Sequence, residues 1–152
     1  MKSIEEEIKQ KKFPSVFIKT DVNLLFTSSW LNISQTRFFK KYSLSMQQYN
    51  VLRILRGKHP ESVMLVQISD RMIDKMSNAT RLVDKLIQKE LATRTLNKDS
   101  RRQVDINITE KGLELLARID VAMNTDLYPT RYKNISEQEL EVLNDLLDKL
   151  RG

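Results

Sequence analysis

Apolar side chains return every three or four residues along most of this chain and alternate with polar ones in only one short segment. That contrast predicts a mainly α protein with a small β-hairpin. Residues 3–12 read as a short amphipathic helix ended by Phe13-Pro14. From residue 15 to about 42 a long helix is expected. Ile18, Val22, Leu25, Phe26, Trp30, Ile33 and Phe38 keep a rough helical spacing there, with no Gly or Pro to break it. Phe17, Leu24, Leu31 and Phe39 lie off that stripe, and an apolar face this broad predicts a partner helix. Ser45 with Gln48 three residues on is a capping-box pattern. It opens a helix that turns Tyr49, Leu52 and Leu55 inward and stops at Gly57. Val63-Met64 adds a short strand.

Residues 67–102 hold the pattern around which the rest is arranged. A short helix turns Ile68 and Met72 inward, a tight turn follows, and then a longer helix. In the longer helix Ala79, Leu82, Val83, Leu86, Ile87 and Leu91 form one apolar stripe. Its opposite side carries Lys75, Ser77, Asn78, Arg81, Lys85 and Gln88, all hydrogen-bond donors. A helix anchored by one face and lined with donors on the other suits a nucleic-acid groove, with the shorter helix bracing it. Residues 92–97 and 103–108 read as two strands. The second alternates, with Val104, Ile106 and Ile108 on one face and Asp105 and Asn107 on the other. Between them Lys98, Arg101 and Arg102 load a polar turn with cations, making a wing that reaches a minor groove. Thr109 caps a further helix from 110 to about 127, with Leu115, Leu116, Ile119, Met123 and Leu127 on one side and Pro129 as its stop. Ser136 and Glu139 form a second capping box, opening a last helix striped with Leu140, Leu143, Leu146, Leu147 and Leu150.

Composition narrows the class. With 40% hydrophobic and 30% charged residues, the 152-residue chain has the make-up of a globular protein, not a disordered one. Three Gly and three Pro agree with long helices and few tight loops. No apolar run reaches the length of a membrane span, and the N-terminus lacks the apolar core of a secretion signal. Zero cysteines remove disulfides, thiolate metal sites and thiol switching together, which fits a cytoplasmic protein.

The net charge of +6 matters less than its distribution. Residues 71–102 hold nine Lys/Arg against four Asp/Glu, whereas residues 109–152 hold six against nine. A basic middle and an acidic end predict a polyanion-binding face separate from a second face. Enzymatic chemistry finds no footing. His59 is the sole histidine, beside a proline in a loop, with no Ser or Asp identifiably placed to work with it. There is no glycine-rich phosphate loop and no His/Cys metal set, so no metal or cofactor is expected. Asp120, Asp126, Glu137, Glu139 and Glu141 read as solvated helix surface beside Lys and Arg.

The order of elements resembles the MarR (multiple antibiotic resistance regulator) family of bacterial winged-helix transcription factors, over nearly the whole chain. Four pieces carry the likeness. LSMQQYNVLRIL over residues 44–55 is similar to the family's helix before the helix-turn-helix. QISDRM at 67–72 with ATRLVDKL at 79–86 is similar to its two DNA-binding helices. DSRR at 99–102 matches the wing, and ITEKG at 108–112 the start of the next helix. There are departures. Met64 stands where a small hydroxyl residue often caps the first helix. Ile73-Asp74 replaces a glycine turn, which leaves either a wider turn or Asp74 as the cap.

The resemblance implies a homodimeric repressor on a pseudo-palindromic site in double-stranded DNA. Residues 1–44 and 109–152 would be dimerisation helices and 45–108 the winged helix-turn-helix lobe, in one intertwined unit. Lys75, Ser77, Asn78, Thr80 and Arg81 would meet bases and phosphates, joined by Lys85; Arg101 or Arg102 would be the wing-tip arginine, and Asp99 would steady the wing. Leu140, Leu143, Leu146, Leu147 and Leu150 would serve the dimer. A small lipophilic or phenolic anion is the implied effector. Phe26, Trp30, Phe38, Tyr42 and Tyr49 are its candidate lining and Arg37 or Lys41 its anion partners, against the stronger reading of these aromatics as packing. For Lys85, Lys89 and Arg94 DNA contact and helix-surface solvation weigh about equally, since late cations also suit the helix dipole. From another class comes a rival reading: a protein-interaction module whose basic face binds an acidic partner.

Overall fold

The computed structural model describes residues 2–96 and 104–152. The chain divides into two compact units, Met1–Met46 and Gln47–Gly152.

The first unit holds α1 (Ile4–Glu7) and α2 (Val16–Lys40). A capping box opens α1: the Ser3 hydroxyl accepts from the Glu6 amide at 3.3 Å, and the Glu6 carboxylate accepts from the Ser3 amide at 2.9 Å. The expected helix over 3–12 is cut to four residues, because Lys9 takes a left-handed backbone with φ 56° and turns the chain away. Ser15 caps α2 by accepting from the Ile18 amide at 3.3 Å. An ion pair of 2.7 Å from Lys19 to Glu5 joins the two helices. The surplus apolar surface expected of α2 is present: Phe17, Ile18, Leu25, Trp30 and Ile33 are all exposed. Only at its C-terminal end are aromatics buried, Phe38 and Phe39, whose rings meet edge to face at 5.3 Å.

The second unit is built on α3 (Met46–Arg56), β1 (Val63–Met64), α4 (Leu65–Arg71), α5 (Ala79–Gln88), β2 (Ala92–Leu96) and β3 (Val104–Ile108). The three strands form an antiparallel sheet in the order β1-β3-β2, with Val63 opposite Ile106 and Ala92 opposite Ile108. The alternation in β3 holds, for Ile106 and Ile108 are buried and Asp105 and Asn107 are not. Val51, Leu52 and Leu55 of α3, Ile68 and Met72 around α4, and Val83 and Leu86 of α5 are fully buried, as is Ile106. These residues are the core of a three-helix lobe closed by a sheet. The recognition-helix pattern is longer in sequence than in structure: α5 begins at Ala79, so Lys75 and Ser77 sit in the turn before it. Residues in a tight turn can share a face with the helix that follows, and spacing alone does not separate the two.

α6 (Glu110–Ala122) is capped as expected, with the Thr109 hydroxyl accepting from the Gly112 amide at 3.1 Å. Leu116 and Ile119 of α6 are fully buried, and Leu115 nearly so. Pro129 does not stop the chain's helical path. The path widens into a π-helical turn at Met123–Leu127 and continues as α7 (Tyr128–Arg131), where Pro129 lies in the first turn. Proline donates no N–H and crowds the turn before it, and here it stands just after the wider turn within a continuing helical path. α8 (Glu137–Arg151) opens with the second capping box, the Ser136 amide donating to the Glu139 carboxylate at 2.8 Å. None of its residues is buried; Leu143, Leu146 and Leu150 are exposed and Leu140 and Leu147 half-buried.

Candidate nucleic-acid interface

The helix-turn-helix is held by polar bonds that begin before α4. Met64, at its N-cap, offers no oxygen, so only the reciprocal half of a capping box forms: Gln67 Oε1 accepts from the Met64 amide at 3.0 Å. Met72 leaves the helix in extended backbone with its side chain buried. The turn from 73 to 78 is then fixed residue by residue. The Ile73 amide donates to Asn50 Oδ1 of α3 at 2.9 Å. Asp74 accepts from the Met76 amide at 3.0 Å and the Ser77 hydroxyl at 2.8 Å. The Ser77 hydroxyl, and after it the Met76 amide, hold the Asp74 carboxyl below its ordinary value, since both bond to the charged form. The Lys75 ammonium donates to the Asp70 carbonyl. Asp74 thus organises the turn, and Asn78 is the cap of α5, its Oδ1 accepting from the Arg81 amide at 3.0 Å.

From there α5 divides its faces. Ala79, Val83 and Leu86 are buried, while Thr80, Arg81, Lys85 and Gln88 are exposed. Arg81 and Lys85 make no ion pair with any described residue. The later cations differ. Arg94 of β2 pairs with Asp84 of α5 at 2.8 Å, and the Lys89 ammonium donates to the buried Gln48 at 3.1 Å. The helix ends in a Schellman arrangement, with the Leu91 amide bonded to the Leu86 carbonyl at 2.9 Å and the Glu90 amide to the Ile87 carbonyl at 2.8 Å. Glu90 fills the left-handed position with φ 61° and is paired with Lys111 at 2.6 Å. Asp99, Arg101 and Arg102, the expected wing residues, lie outside the described residues.

The MarR family model matches residues 44–104, the stretch from the end of the first unit through the helix-turn-helix to the start of β3. The HTH-type transcriptional regulator MhqR of Bacillus subtilis is 30% identical over 127 residues, covering 79% of this chain and 81% of that protein. The chain belongs to the MarR family. A MarR transcription factor from Planctomyces limnophilus has a solved structure with a TM-score of 0.69 and 31% identity, covering 90% of this chain and 98% of its own. A mutant MarR from E. coli, solved in complex with operator DNA, shares the fold at a TM-score of 0.73 and 18% identity, over 98% of this chain and 99% of its own. As a MarR-family protein the chain is a transcriptional regulator on a winged helix-turn-helix fold, and not an enzyme.

Two features of this MarR-family lobe escaped the sequence reading. Asp120 on α6 is not solvated surface: Arg53 reaches its Oδ1 at 3.2 Å and Arg56 its Oδ2 at 2.7 Å. The pair Arg53 and Arg56, three apart on α3, was a signal for an acidic partner, but nothing in the sequence names which acid. The second is Met76, at the outer point of the turn and 94% exposed. The expected effector lining is not assembled within either unit. Phe38 meets Tyr42 at 5.5 Å, Phe26 and Trp30 stand exposed on α2, and Arg37 and Lys41 are exposed. Tyr49 belongs to the second unit, where its hydroxyl donates to Met123 Sδ at 3.4 Å.

Proposed function

We propose that this regulator binds a pseudo-palindromic operator as a homodimer and represses transcription by occupying it. In this reading α5 enters the major groove, Asn78, Thr80, Arg81 and Lys85 meet bases and phosphates, and Arg101 or Arg102 enters the flanking minor groove. One observation carries it: the two cations of α5, Arg81 and Lys85, are exposed and without an ion pair among the described residues, whereas Lys89 at its C-cap and Arg94 in β2 are engaged by Gln48 and Asp84. The operator complex of the E. coli relative supports the same use of this fold. Lys75 and Ser77 hold the turn before α5 and join its residues on the DNA-facing side. The exposed stripe Phe26, Trp30 and Ile33 on α2, and Leu143, Leu146 and Leu150 on α8, supports a dimer built from 1–44 and 109–152 around the lobe at 45–108. Those aromatics are assigned to packing, and the proposal requires no small-molecule effector. A regulator acting on bacterial DNA works in the cytoplasm.

The test is a fluorescence anisotropy titration on the duplex upstream of the protein's own gene, against a scrambled duplex. Specific binding is expected to fall about tenfold or more in Arg81→Ala, the worth of one good base contact. Equal affinity for both duplexes at every salt concentration would remove the specific reading. Loss of all DNA binding at low salt would favour the protein-interaction module with an acidic partner.

A further inference from the structure

We propose that Met76 is a base-reading side chain, placed by the turn before α5 to contact the 5-methyl group of a thymine in each operator half-site. The inference rests on the reading of α5 as the major-groove helix.

Met76 is the most exposed large apolar side chain among the described residues, at 94%. Exposed methionines commonly sit on mobile chain, but this one is held. Its own amide is bound by Asp74 Oδ1 at 3.0 Å, and the next amide, Ser77, by the Asp74 carbonyl at 3.2 Å. The Ser77 hydroxyl bonds the same carboxylate at 2.8 Å, and the turn is tied to α3 through Ile73 and Asn50 at 2.9 Å. Such a turn fixes the backbone from which the side chain projects, which lowers the entropy lost on docking. Its position is two residues before the Asn78 cap, at the end of a recognition helix that approaches base edges.

The chemistry then selects the target. Arg71, Lys75 and Arg81 flank the turn and draw it to a polyanion, yet a thioether makes no favourable bond to a phosphate. Of the groups displayed along the major groove, the thymine methyl is the one that offers apolar contact. A flexible, polarisable thioether adapts its shape to such a group better than a branched side chain does.

The experiment uses the full-length protein and the duplex it binds specifically, with each thymine replaced in turn by deoxyuridine. That exchange removes one methyl group and leaves every hydrogen-bonding atom in place. The wild type is expected to lose about fourfold in affinity at one thymine of each half-site, the worth of one buried methyl. Met76→Ala should bind the unmodified duplex correspondingly more weakly and lose nothing further at those positions, with an unchanged melting temperature. Met76→Leu should keep the sensitivity. A deoxyuridine penalty equal in wild type and Met76→Ala, or no penalty at any thymine, overturns the proposal while leaving α5 as the reading helix. Absence of any sequence-specific binding overturns both.

Discussion

A Cβ placed on Gly112 would stand 2.5 Å from the Leu91 carbonyl oxygen and 2.7 Å from Ile108 Cγ1. The first of these is backbone, which cannot swing aside, so the start of α6 packs on the wing strands only because this residue is glycine. Gly112→Ala is expected to destabilise the protein by roughly 1–3 kcal/mol, read as a lower urea midpoint at unchanged slope. An unchanged midpoint would mean that α6 is free to lift. Asp74 works in the opposite manner, by gathering donors. Its carboxyl pKa is lowered below the unfolded value, so its contribution to the turn is present above the ordinary aspartate range and is lost as pH falls through the lowered folded value. An NMR titration should find Asp74 ionising below an ordinary aspartate and moving back up in Ser77→Ala; an ordinary value in the wild type would remove the hydrogen bond. Gly112 was legible as part of a motif. Asp74 was read as a possible cap, but Asn78 caps α5 and Asp74 binds within the turn before it, because which residue caps a helix depends on where the helix begins. Lys75 and Ser77 blurred that point by continuing the donor face into the turn.

At the scale of elements, periodicity located the helices well wherever one face is buried, and α5 is the clearest case. It failed where helical geometry changes without a change of pattern. The π-helical turn at Met123–Leu127 keeps Met123 buried, and Pro129 follows it within the continuing helical path instead of ending the helix. It also could not say which cations are engaged, since Arg94 meets Asp84 across the gap between a strand and a helix. That distinction is measurable. Lys85→Ala should weaken binding to specific and scrambled duplexes alike and reduce the log–log salt slope by about 1. Arg94→Ala should leave that slope unchanged while lowering stability slightly, as befits an ion pair near the surface. Equal slopes for the two variants would contradict the distinction between the unpaired cation of α5 and the engaged cation of β2.

For the whole molecule, the informative quantity is the apolar surface that a single chain leaves uncovered. α8 buries none of its residues, and Leu143, Leu146 and Leu150 remain exposed along it, as do Phe17, Leu25 and Trp30 on α2. Exposed large apolar surface of this extent is characteristic of interfaces. The breadth of the α2 stripe was readable from the sequence; the partner was not, because a periodic stripe records that a face is buried and not against which chain. A charge there is costly only inside an interface. Leu146→Glu should therefore convert a dimer to a monomer in light scattering and abolish specific DNA binding, with helicity by circular dichroism largely kept. A mass that is unaffected would count against the terminal helices as the interface.

Hydroxyl-radical footprinting on the specific duplex joins the scales, because it reads the recognition helices, their spacing and their symmetry at once. Two symmetric protections are expected, centred about 10 base pairs apart as for two recognition helices in successive major grooves, and both should vanish in Arg81→Ala. A single asymmetric protection, or a pattern that Arg81→Ala leaves intact, would contradict recognition by a pair of α5 helices.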